Sequence, residues 1–131
     1  MQYLLDANAV IAILNDAQSR TAQRVRPHQP SEVWISAIVV HELYYGAFKS
    51  QRSKQNASLI DSLLFQVLEF DNDDAREAGE IRATLARKGK PIGPYDVLIA
   101  GQAKTRDLIL VTNNSKEFSR VPGLRLEDWS T

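Results

Sequence analysis

The stretch Tyr3-Leu4-Leu5-Asp6-Ala7-Asn8-Ala9-Val10-Ile11-Ala12-Ile13-Leu14 decides the fold. Its apolar opening, Tyr3 to Leu5, reads as a short buried strand, and Asn8 to Leu14 reads as a helix that follows almost at once. The same alternation continues down the chain. Ser19 to Arg26 reads as a second short helix, and Pro27, Pro30 and Ser31 punctuate a loop. Val33 to Ile35 is a second short strand, and Ser36 is the N-cap of a helix running to about Lys49. Ser53 to Phe65 shows helical spacing at Leu59, Ile60, Leu63 and Leu64, and Val67 to Phe70 is strand-like. Asp73 to Lys88 reads as an amphipathic helix with acids in its first turns and bases in its last, stopped by Gly89. Pro91 to Pro94 is a loop before a helix over Tyr95 to Thr105. Leu108 to Thr112 is a strong β-run, and Leu124 to Leu126 adds a last edge strand. Strands alternating with helices predict an α/β fold with a largely parallel central sheet. In such sheets the ligand crevice lies beyond the carboxyl ends of the strands. Asp6 follows the first strand and Asn113-Asn114 follows the Leu108–Thr112 strand, so both are expected at that crevice.

Composition narrows the function. The 131 residues fit a single domain, 1–131, large enough for a real core. Sixteen Lys+Arg balance sixteen Asp+Glu, which argues against a nucleic-acid coat protein but leaves room for a locally basic groove. The absence of Cys excludes disulfides, thiolate zinc sites and a cysteine nucleophile. With only His28 and His41, a multi-histidine metal site is excluded too. The N-terminus lacks a basic segment, and its apolar stretch is broken by Asp6 and Asn8. No signal peptide or membrane span is expected, and a cytoplasmic location is the default.

Three carboxylates stand where a structural protein rarely puts one. Asp6 ends the run Tyr3-Leu4-Leu5, Glu42 sits inside Ile38 to Leu43, and Asp96 opens Asp96 to Ala100. A charge beside a packed core costs on the order of several kcal/mol unless a partner compensates. In the Ser36 helix, Glu42 shares a stripe with Ile35, Val39, Leu43 and Gly46, a face expected to look at the sheet. Asp96 shares a helical face with Ile99, Ala100 and Ala103. Taken singly, Asp6 reads equally as an N-cap, Asp96 as an N-terminal helix acid, and Glu42 as a residue tilted to solvent. Taken together, with no base adjacent, they read as oxygen ligands for a hard divalent cation, used for phosphodiester hydrolysis. No histidine is placed as a general base, since His41 points to a different helix face from Glu42.

Leu4-Leu5-Asp6-Ala7-Asn8 resembles the opening motif of PIN-domain ribonucleases. Ile35-Ser36 through Glu42-Leu43 and Gly46 resembles their second motif, and Asp96 through Ile99-Ala100 and Ala103 their third. Val111-Thr112-Asn113-Asn114 followed by Glu117-Phe118 resembles the fourth. The motifs keep the family order and span nearly the whole chain. Within the family the chain resembles VapC toxins of bacterial VapBC toxin–antitoxin pairs, closest to the branch that cleaves the initiator tRNA in its anticodon stem-loop.

The resemblance implies a PIN-like three-layer α/β/α fold and an endoribonuclease toxin dependent on Mg²⁺ or Mn²⁺. It implies that Asp6, Glu42 and Asp96 hold the metal and that Asn114 joins them in the catalytic set. It also implies an RNA substrate, a tRNA; a cognate VapB-type antitoxin; and a homodimer, through apolar helix surface around Leu59 to Leu64, within a higher-order complex. Two positions depart from the family: Ala7, where Thr is usual, and Asn114, where many members carry Asp. At Asn114 a carbonyl oxygen remains but a charge is lost. Either a second metal is held more weakly, or the amide donates to the substrate phosphate or to Asp96. Glu117, one helical turn on, assists the site or is a surface acid, and Asn8 is a helix cap or a partner of the acidic cluster.

RNA contact must come from local charge: Arg82, Arg87, Lys88 and Lys90 before Asp96; Lys49, Arg52 and Lys54 after Glu42; Lys116 and Arg120 after Asn114. Each group reads equally as a solvated face. Two rival functions are weaker. A catalytically weak PIN domain acting as partner in an antitoxin DNA-binding repressor complex does not require all three acids. A phosphoacceptor domain of response-regulator type needs a paired acid near the first strand and a Lys after a late strand, and this chain has neither.

Overall fold

The computed structural model describes residues 1–131. Five strands form one sheet in the order β3-β2-β1-β4-β5, and every pairing is parallel. They are β1 (Tyr3–Leu5), β2 (Val33–Ser36), β3 (Gln66–Leu68), β4 (Ile109–Val111) and β5 (Leu126–Glu127). The helices are α1 (Ala7–Asn15), α2 (Arg20–Val25), α3 (Ala37–Lys49), α4 (Ser53–Asp61), α5 (Asn72–Arg87), α6 (Pro94–Thr105) and α7 (Ser115–Phe118). The chain builds β1, β2 and β3 outward in one direction, then crosses to lay β4 and β5 on the other side. The order therefore reverses beside β1, and the carboxyl ends of β1 and β4 flank the switch point.

β1 is central and buried along its whole length. Leu4, level with Trp34 and Leu110, points to one face of the sheet; Tyr3 and Leu5 point to the other. Such two-sided burial is what a parallel sheet with helices on both faces requires. The backbone N–H of Asp6 donates to the Val111 carbonyl, so β1–β4 pairing reaches the first residue beyond the strand.

The placement of α6 is tightly determined. A Cβ on Gly101 would lie 2.8 Å from the Ala78 Cβ, so the absence of a side chain there sets the close approach of α5 and α6. The fully buried Gln102 donates through Nε2 to the carbonyls of Leu68 and Glu69, at 3.3 and 3.2 Å, tying α6 to the end of β3. At the far end of α6, Arg106 pairs with Asp71 at 2.8 Å and with the fully buried Asp74 at 3.3 Å. Asp71 and Asp74 also form the capping box that starts α5.

The expected elements are present, with shifts at their ends. α4 stops at Asp61 rather than running to Phe65, because the Ser62 hydroxyl donates back to the Leu59 carbonyl and closes the last turn. β3 starts at Gln66 and ends at Leu68, where its register with Ser36 of β2 runs out. β5 is Leu126–Glu127 rather than Leu124–Leu126, since Gly123 turns the chain with φ +76° and holds Leu124 outside the sheet. Pro30–Glu32, expected as loop, is a single 3₁₀ turn, and α7 is a short helix that no periodicity announced. No helix is long and apolar enough to cross a membrane.

Candidate active site

Asp6 takes its place from both sides of the β1–α1 junction. It caps α1, its Oδ1 accepting from the Ala9 N–H at 2.9 Å. It is 5 % exposed, and burial raises its pKa, opposed by hydrogen bonds from Thr112 and Ala9. Thr112 directly follows β4, and its Oγ1 accepts from the Asn114 N–H at 2.9 Å, so one hydroxyl links the loop after β4 to Asp6.

Glu42 stands at the edge of the α3 stripe. Val39, Leu43 and Ala47 are the buried residues of that helix, and Glu42 is half-buried beside them. Ser36 caps α3 as expected, accepting from the Ile38 N–H at 2.9 Å. Burial raises the Glu42 pKa, and the charges of Asp96 and Asp6 raise it further. Its Oε1 is buried without a hydrogen-bond partner.

Asp96 lies in the first turn of α6, where the helix dipole favours an anion. Burial nevertheless dominates: with the charges of Glu117 and Asp6, it pushes the Asp96 pKa up to about 6. None of Asp6, Glu42 or Asp96 forms an ion pair with Lys or Arg. Three acids from β1–α1, α3 and α6 thus act on one another at the carboxyl end of the sheet, uncompensated.

Asn114 follows β4 as expected, but its amide is committed elsewhere. Nδ2 donates to Glu117 Oε2 at 2.9 Å, and Glu117 Oε1 accepts from the Gly93 N–H at 2.7 Å. These two bonds, Asn114 first, hold the Glu117 carboxyl below its usual range. Glu117 is therefore a wall of the site and the charge that acts most strongly on Asp96. Asn8 donates to Asn113 Oδ1 at 3.5 Å, bridging α1 to the β4 loop rather than capping a helix. His41 is exposed and packs edge-on to Tyr95 at 5.8 Å, outside the acid cluster.

Sequence reasoning missed Thr112 and Asp128. The charge of Asp128 reaches Asp6 because the C-terminal tail is clamped against α2, with Trp129 2 % exposed and its carbonyl accepting from Thr21. No local signal marks a contact between residues over a hundred positions apart.

The acids do not converge tightly enough for any three to enclose a bare ion. That suits Mg²⁺, which keeps several waters and takes only one or two carboxylates directly. An all-oxygen donor set, the orphaned Glu42 Oε1 and pKa values raised by burial first and mutual repulsion second fit a hydrated divalent cation in their midst.

The PIN domain family model matches residues 3–124. The chain is 42 % identical, over 99 % of both chains, to a tRNA(fMet)-specific endonuclease VapC of Shigella flexneri. It is 37 % identical to Ribonuclease VapC2 of Haemophilus influenzae, over 98 % of both. Among solved structures, DNA-bound VapBC from Salmonella typhimurium superposes with a TM-score of 0.93 at 41 % identity, covering 98 % of both chains.

Proposed function

The chain belongs to the PIN-domain family, and we propose that it is a metal-dependent endoribonuclease toxin of a type II toxin–antitoxin module whose substrate is the initiator tRNA. The observation that carries the reading is the uncompensated acid cluster, Asp6, Glu42 and Asp96, at the switch point of the sheet. These three residues are proposed to hold Mg²⁺ or Mn²⁺, one or two of them directly and the rest through the ion's water shell. When bound, the ion supplies Lewis-acid polarisation of the phosphate and activation of water.

The chain's own residues then have distinct tasks. The Ala9 N–H and Thr112 fix the Asp6 carboxylate in one rotamer. Glu42 presents Oε1, which nothing in the protein satisfies. Glu117, held ionised by Asn114 and Gly93, anchors the N-terminus of α6 and so sets the position of Asp96. Without a bound cation the cluster repels phosphate, so substrate binding waits on metal.

The partner is proposed as a VapB-type antitoxin, as in the VapBC complexes this chain resembles. A groove of about 260 Å³ between α1, α3 and α4, lined by Ile11, Leu14, Leu43, Ala47 and Leu59, also has Glu42 in its wall. It suits an amphipathic segment followed by a basic residue that meets the acids. A homodimer belongs to the same reading, with Leu64, 92 % exposed, as apolar surface for it. The role of partner in a DNA-bound repressor complex, in keeping with the DNA-bound relatives, is an added duty of the assembly.

Incubation with purified initiator and elongator tRNAs in Mg²⁺ tests the substrate. One cut in the anticodon stem-loop of the initiator tRNA alone is expected; equal cutting of all tRNAs contradicts it.

A further inference from the structure

From the exposed rings beside the acid cluster, we propose that Tyr95, Tyr45 and Phe48 form a stacking platform for unpaired nucleotides of the RNA, leading away from Glu42 and Asp96 along α3. The proposal rests on the nuclease reading above and locates the substrate on it. Tyr95 immediately precedes Asp96 and is 46 % exposed. Its ring meets that of His41 edge-on at 5.8 Å, which brings the start of α6 against α3. Tyr45 lies one turn beyond His41 on the same face and three residues from Glu42, and is 61 % exposed. Phe48, one turn further, is 66 % exposed and stacks on Tyr44 at 5.8 Å.

Exposed aromatic rings in a row are a binding feature rather than a surface accident. The hydroxyls of Tyr45 and Tyr95 are not used within the protein, whereas that of Tyr44 donates to Asp61. The charge around the row selects the occupant. Lys49 places its ammonium 5.5 Å from the Tyr45 ring centre, and Arg52 and Lys54 follow, all exposed. Rings for bases and cations for phosphates are the two components of a single-stranded nucleic-acid track. An apolar protein partner requires no such cations. From His41 to Phe48 the row spans about 10 Å of helix, and it begins where the scissile phosphodiester would lie. Unpaired loop nucleotides, not a duplex, present free faces to stack.

The test measures binding of the full chain, in Ca²⁺, which should support cleavage poorly, to a fluorescein-labelled RNA hairpin and to a paired duplex of the same length. Tyr45→Ala and Tyr95→Ala should each weaken hairpin binding by about fivefold or more, with duplex binding unchanged. Tyr45→Phe and Tyr95→Phe should bind as wild type. In Mg²⁺ the Ala variants should raise KM for the hairpin. Unchanged affinity and KM in Ala variants of a chain that does cleave RNA overturn the platform and leave the nuclease reading intact. Loss of hairpin affinity that tracks a change of oligomeric state in sedimentation also overturns it, assigning the face to a second copy of the chain. A wild-type chain that neither binds nor cleaves RNA sinks both readings.

Discussion

Asn114 donates its side-chain amide to Glu117 at 2.9 Å, and the other oxygen of Glu117 receives the Gly93 N–H at 2.7 Å. A carboxamide is needed at position 114 because an ionised carboxylate cannot donate. Asn114→Asp would set a charge against Glu117 and, through it, against Asp96. Of the two roles open to Asn114 in the sequence, this geometry favours a donor, although its acceptor is Glu117 rather than Asp96 or phosphate. The expected outcome is a cleavage rate reduced about tenfold at saturating Mn²⁺, equivalent to about 1.4 kcal/mol in the barrier. Titrating Mn²⁺ against rate for both proteins decides the matter. A lower metal midpoint with an undiminished plateau would restore the view of Asn114 as a weakened metal ligand.

The raised pKa of Asp96 predicts how metal-free stability varies with pH. Its folded value, about 6, lies above the unfolded value near 4. The folded state therefore binds the proton more tightly, and the stabilising effect of protonation is complete below pH about 4 and lost as pH rises through about 6. Asp6 and Glu42 shift in the same direction. In EDTA the protein should be more stable at pH 5 than at pH 7.5. Asp96→Asn should remove part of that difference and stabilise the apo-protein at pH 7.5 by on the order of 1 kcal/mol, discounted for the half-exposed site. Urea midpoints at both pH values measure it, and a wild-type midpoint lower at pH 5 would contradict the assignment.

Chelation should stop cleavage, and Mg²⁺ or Mn²⁺ should restore it while Ca²⁺ does so poorly. An all-oxygen site built for polarisation needs a compact ion, and Ca²⁺ is larger and more loosely coordinated. Cleavage undiminished after exhaustive dialysis against EDTA would refute metal dependence.

Much of this architecture was legible in the residues. Tyr3 to Leu5 and Leu108 to Thr112 are apolar runs of strand length, and the helices between carry clear periodicity, so the parallel α/β fold follows. Asp6, Glu42 and Asp96 stood out because each breaks an apolar pattern. What the residues hid is long-range or short. Glu117 finds Gly93 across 24 positions, and α7 has too few residues to show a period. The reach of Asp128 to Asp6 depends on the docking of Trp129 against Tyr3 and His28, with ring centres 5.0 and 5.1 Å away, a contact no local pattern encodes.

Arg106 separates stability from chemistry. It is the only cation paired with the fully buried Asp74, and it lies at the end of α6 remote from Asp96. Arg106→Met strands a buried charge and should cost about 2 kcal/mol, less than a wholly buried pair because the guanidinium is partly exposed. The urea midpoint should fall, while cleavage well below the unfolding range should persist. An unchanged midpoint would show that the pair contributes little.

The most direct test of the central claim is to incubate the purified protein with total RNA in Mg²⁺ and map every new 5′ end. Asp6→Asn, Glu42→Gln and Asp96→Asn, each verified as folded, are run beside it. The account predicts discrete cuts by wild type, confined to a tRNA anticodon stem-loop, and their loss by at least about a hundredfold in each variant, the scale of losing a group that acts in the transition state. Wild-type cutting by any one folded variant would contradict it.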